Sequence, residues 1–218
     1  MGSRTRRRQI AVAAVAIVAL AAAYVCIPRH ADLTRFDPGA MARLETSMWG
    51  HYYEKRYLSL FADLYDVARS EYGFSPLDSL QLAVAAASAA KSFQPSTSRA
   101  EAEAALPSLI AYFRILSQAA PAQIEIEDAA VTELAWWQAR REAVTPEQYG
   151  PMIARVATLV YGVDGEDLRR SGLVRAQAMA YRDAHAATMS EADWAAIAAQ
   201  LELAYGLLKK ALPLAVHG

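Results

Sequence analysis

Three stretches of this 218-residue chain place charged side chains among aromatic and aliphatic ones at helical spacing, and these are the positions that could do chemistry. At about 100° per residue, Trp49, Tyr53, Tyr57, Leu60, Leu64 and Val67 share one arc, with Glu45 at its edge and Arg56 within it. Further on, Val131, Leu134 and Trp137 flank Arg141, with Glu133 beside Trp137. A third face carries Arg175, Met179, Arg182 and Ala186. An ionised group in a core costs several kcal/mol unless it is paired and hydrogen-bonded, so these charges are expected to meet. Glu45 and Glu133 should pair with members of the set Arg141, Arg175 and Arg182, because a guanidinium fork fits a carboxylate and can stack on Trp49 or Trp137. Asp183 points to another face and is expected to stay out.

Such a network has two uses. Ion pairs between helices can fix register, with no chemistry at all. Alternatively, Glu45, Trp49, Tyr53, Glu133, Trp137, Arg141, Arg175 and Arg182 can ring a polar pocket that binds a small anion. In an enzyme, Glu45 and Glu133 would supply the acid and the base, provided their environments separate their pKa values. Room for a ligand beside the two glutamates favours the pocket; a dry, fully paired network with aromatics exposed elsewhere favours the structural role.

Other chemistries lack their residues. Two-iron bundles use Glu-x-x-His, but the third residue after Glu45, Glu54 and Glu133 is Met48, Tyr57 and Trp136, and His30, His51, His185 and His217 are scattered, so no metal site is expected. There is no Gly-x-Ser-x-Gly elbow and no glycine-rich phosphate loop. Cys26 is the single cysteine, which excludes an internal disulfide framework and Cys-x-x-Cys-His haem attachment. No cofactor is implied.

The elements that must position these groups are helices. Asp37-Pro38 starts one that the pattern carries through to Gly73. Ser75-Pro76-Leu77-Asp78 opens a second, reaching about Phe93. A third runs from Ser98 to about Ala119, kinked or restarted at Pro107. Asp128 is read as the cap of a fourth helix, and Thr145-Pro146-Glu147-Gln148 as the capping box of a fifth, broken at Gly150-Pro151. A sixth covers about Leu168 to His185, and Ser190 with Asp193 caps a seventh. Strand signals are almost absent, since Ile124 to Glu127 alternates without a partner and reads as an extended linker. The fold class is all-α: a compact bundle of about six to seven helices. The run Ala83 to Ala90 offers a smooth face against which a neighbouring helix can pack closely.

The bundle, residues 37–218, is preceded by an anchor. Ile10 to Ile27 carries no charged side chain, about the minimum length that spans the hydrocarbon layer as a helix. Arg4, Arg6, Arg7 and Arg8 in the 1–9 tail orient it with the N-terminus in the cytoplasm, and residues 28–36 form the linker to a periplasmic or otherwise extracytoplasmic domain. Ala21-Ala22-Ala23 would suit cleavage of a signal peptide, but the uncharged run exceeds the usual h-region of about 7–15 residues. Tyr24-Val25 before Cys26 does not suit lipoprotein processing.

Setting aside the four tail arginines leaves 18 basic against 23 acidic groups, a net charge of −5. That balance argues against nucleic acid as a partner. The expected partners are the membrane, through residues 10–27, and another envelope or membrane protein, met through spare aromatics such as Tyr52, Tyr57 and the Trp136-Trp137 pair. The sequence therefore reads as a membrane-tethered helical interaction module or accessory subunit, not an enzyme. The alternative is an envelope enzyme or small-ligand binder using the Glu/Arg/aromatic pocket.

Overall fold

A computed structural model describes residues 2–27, 31–120 and 123–213, without the side chains of residues 2–5, 26 and 119. His30, His217 and the side chain of Cys26 lie outside the described residues, as does the start of the 28–36 linker. The described residues are helical, with no strand.

Helix α1 (Gly2–Cys26) contains the stretch Arg6–Val25, whose mean hydropathy is 1.9 and none of which is buried. It is long and apolar enough to cross a membrane. Near its end, Arg69 Nη2 donates to the Tyr24 hydroxyl at 3.1 Å.

Beyond it come α2 (Pro38–Tyr53), α3 (Tyr57–Asp66), α4 (Pro76–Phe93), the single turn α5 (Arg99–Ala102), α6 (Leu106–Ala119), α7 (Ile126–Arg141), α8 (Pro146–Tyr161), α9 (Glu166–Ala184) and α10 (Glu191–Ala211). Apart from α5, each packs on the next in chain order, and α10 returns to pack on α2. Among the described residues eight helices therefore close into a ring, more than the six or seven expected.

The extra helix arises where one long helix was expected from Asp37 to Gly73. The chain breaks after Tyr53: Lys55 takes a left-handed φ of 58°, and Arg56 becomes the exposed residue preceding α3, paired with Glu54 at 2.5 Å. Arg56 is thus not within the aromatic arc. A π-helical turn, Val67–Glu71, ends the second piece. Each piece is short because turning the chain back lets both face the same interior.

Gly150-Pro151 does not break α8. The carbonyl that Pro151 leaves without a donor is that of Glu147, which is exposed and open to water. Gly150 instead serves a close crossing: a Cβ on Gly172 of α9 would stand 2.5 Å from the Gly150 carbonyl oxygen and 2.8 Å from the Ala154 nitrogen. Helix α7 begins at Ile126, two residues before Asp128, so of the stretch Ile124 to Glu127 only Ile124, which is buried, and Glu125 precede the helix. Pro107 sits at the start of α6, after a 3-10 turn, as a restart. In α4 the fully buried alanines are Ala83 and Ala89, while Ala86 is half-buried.

Candidate functional site

The ring encloses a cavity of about 450 Å³. Its wall is mainly apolar, built from residues such as Leu64, Leu82, Ala86, Phe113 and Val160, into which a few polar groups project. Tyr72, Tyr112, Glu133, Tyr161, Arg175 and Tyr205 line it. All six lie deep in the protein yet are only partly covered, because the surface they keep is the cavity wall.

On one side of the wall Glu45, 2% exposed, holds Arg175. The Arg175 Nε and Nη2 donate to Glu45 Oε1 at 2.9 and 2.5 Å, and the Tyr205 hydroxyl donates to Oε2 at 2.5 Å. Three helices, α2, α9 and α10, meet at this carboxylate. The placement of Arg175 follows from its own helix: Tyr149 donates to the Ala176 carbonyl at 2.7 Å, Ser171 donates to the Ala204 carbonyl at 2.7 Å, and the Gly150–Gly172 crossing draws α8 against α9. Burial works against the Arg175 charge, but Glu45 more than restores it, and its pKa lies above the ordinary arginine value.

Glu133 stands apart from this pair. The Trp137 Nε1 donates to its Oε1 at 2.9 Å, and no cationic side chain among the described residues comes within 4.0 Å. Burial pushes its carboxyl pKa up, opposed by Trp136, Arg175 and Trp137 in that order. The Trp136 Nε1 is nonetheless buried without a partner at hydrogen-bonding geometry. Nearby, Tyr112 is pushed up to about 12, first by burial and then by the Glu133 charge.

A second cluster joins the C-terminal ends of α2, α7 and α9. Arg140 donates to both Asp183 oxygens at 2.9 and 2.8 Å and to the Tyr53 hydroxyl, while Arg182 lies over the Tyr53 ring at 3.1 Å and reaches Asp183 at 3.3 Å. Arg140, Tyr53 and Tyr52 line the cavity here.

Of the residues expected to meet, Glu45 and Arg175 do. Glu133 forms no ion pair among the described residues. Arg141 turns away from the cavity to donate to the carbonyls of Ser96 and Phe93, stacked 3.6 Å over the Phe93 ring. Arg182 goes to Tyr53 and Asp183, not to a glutamate. Asp183 does join, because Arg140 occupies the position assigned to Arg141. Trp49 and Trp137 line the cavity but carry no guanidinium; Arg175 lies 5.7 Å from the Trp136 ring instead. Sequence reasoning missed Arg140, although Glu133, Trp137 and Arg140 fall at i, i+4 and i+7. It also missed four of the tyrosines on the cavity, Tyr72, Tyr112, Tyr161 and Tyr205, which sit on separate elements and share no local pattern.

Among the described residues no group of three His, Cys, Asp or Glu side chains could hold a metal. Nor does the chain match a known protein family, a curated protein or a solved structure.

Proposed function

We propose that this chain is a membrane-tethered binding module whose helical ring takes a small, largely apolar molecule into its centre. In this reading α1 crosses the membrane with its basic start in the cytoplasm, and the ring lies on the other side, in the periplasm of a two-membrane bacterium. The observation that carries it is the cavity. At about 450 Å³ it falls within the range of roughly 300–1,000 Å³ typical of small-molecule sites, with an apolar wall and a few convergent polar groups.

The alternative, a docking subunit, draws on spare aromatics. Trp136 is only 6% exposed, and Trp137 and Tyr52 line the cavity, so most of that reserve is used internally; Tyr57, 51% exposed, is the exception. An acid–base pair of Glu45 and Glu133 is also disfavoured, since Glu45 is held on both oxygens by Arg175 and Tyr205.

Native mass spectrometry of the full chain, released from nanodiscs formed directly from native membranes, tests the reading. A bound small molecule is expected on the wild-type protein and is expected to be lost from Ala86→Phe, which fills the cavity. A bare wild-type chain, or equal retention by the variant, would refute it.

A further inference from the structure

Four charged side chains line the cavity, Glu45, Glu133, Arg140 and Arg175. Arg175 satisfies Glu45 through Nε and Nη2, and Arg140 is paired with Asp183. Among the described residues Glu133 is left as the one charge on the wall without an ion-pair partner. Its only hydrogen bond among the described residues is the Trp137 donor on Oε1, and it faces the cavity with acceptor capacity unused. An uncompensated carboxylate in an apolar enclosure is costly, and a cation brought in by a ligand would relieve that cost.

The surroundings fit a cation as well. Trp136, Trp137 and Tyr112 line the cavity close to Glu133, and aromatic side chains around a carboxylate suit an organic ammonium group. The buried Trp136 N–H, without a partner, adds positive potential that favours the ionised carboxylate. A bare metal ion is poorly served, because among the described residues no trio of ligating side chains converges. An anion fares no better: Arg141 and Arg182 do not line the cavity, Arg175 is already neutralised by Glu45, and Arg140 by Asp183. We infer that the ligand of this cavity is an organic amine or similar cation with an apolar body, its charged head held by Glu133 and its body on the apolar wall.

This inference rests on the cavity being a ligand site, and one experiment separates the two claims. The full chain in lipid nanodiscs is titrated calorimetrically with 3-phenylpropylamine, 3-phenylpropanol and 3-phenylpropanoate, which share one apolar body, with empty nanodiscs as the blank. The amine is expected to bind at least tenfold tighter than the alcohol, and the carboxylate most weakly. In Glu133→Gln the amine should lose its advantage over the alcohol. Equal or tighter binding of the alcohol or the carboxylate to the wild-type chain would overturn the inference while leaving the cavity a ligand site. Unchanged amine preference in Glu133→Gln would do the same. Should none of the three bind, both claims fall.

Discussion

Glu45 and Arg175, 130 residues apart in the chain, form the one ion pair at the cavity wall in which the carboxylate is almost fully covered. The carboxylate is 3% exposed in its side chain and the guanidinium 28%, so the arginine presents most of the pair's surface to the cavity. Removing the carboxylate strands a charge on α9. Glu45→Gln is expected to cost about 3 kcal/mol, the low end for a broken buried pair because Arg175 can still reach cavity water. For a chain of this size that is a fall of roughly 6–12 °C in thermal midpoint, measured by circular dichroism.

Glu133→Gln should behave in the opposite way. Its carboxyl pKa is raised by burial, so the folded state binds the proton more tightly than the unfolded chain. Its ionisation therefore removes stability as pH rises from the unfolded value towards the folded one, and a neutral amide escapes that loss. The midpoint of Glu133→Gln at neutral pH is expected to equal or exceed that of the wild-type chain. A marked fall would give this residue a structural role.

Gly172→Ala should damage the fold despite adding one methyl group. The new Cβ would stand 2.5 Å from the Gly150 carbonyl oxygen, backbone that can yield only if α8 and α9 separate. Overpacking of this kind costs about 1–3 kcal/mol, and here it also displaces Arg175, three residues on. Gly206→Ala, inside α10, would meet nothing within 4 Å and is expected to leave the midpoint unchanged or raise it, since alanine favours the helix.

The start of α10 should survive acid. Ser190 and Tyr181 donate to Asp193, at 2.6 and 2.7 Å, and these bonds, with the Ser190 backbone, lower its pKa to about 2. A depressed carboxylate contributes stability that is present above the unfolded value, near 3.9, and lost as pH falls through about 2. The Asp193 carboxyl carbon, followed by nuclear magnetic resonance, is expected to titrate near 2, and nearer the ordinary value in Ser190→Ala.

The parts of this fold that follow from local chemistry were legible in the sequence. Ser75, Ser98, Thr145 and Ser190 all stand at helix starts, with their side chains meeting the backbone three residues on. The break at Lys55 carries no glycine or proline, and only the return of the chain explains it. Glu45 could be read as buried from its aromatic neighbours, but its choice of Arg175 depends on how α2, α9 and α10 converge. The cavity was least legible of all. Tyr112, Tyr161 and Tyr205 each look like ordinary half-buried residues of their own helix, and Tyr72 like the end of a turn, and only closure of the ring brings them to one space.

The most direct test of the central claim is a titration of 3-phenylpropanol into the full chain, followed by tryptophan emission, because Trp49, Trp136 and Trp137 line the cavity. The wild-type chain is expected to show a saturable change that Ala86→Phe lacks while keeping its thermal midpoint. No saturable change in the wild-type chain, or the same change in both, would contradict the account.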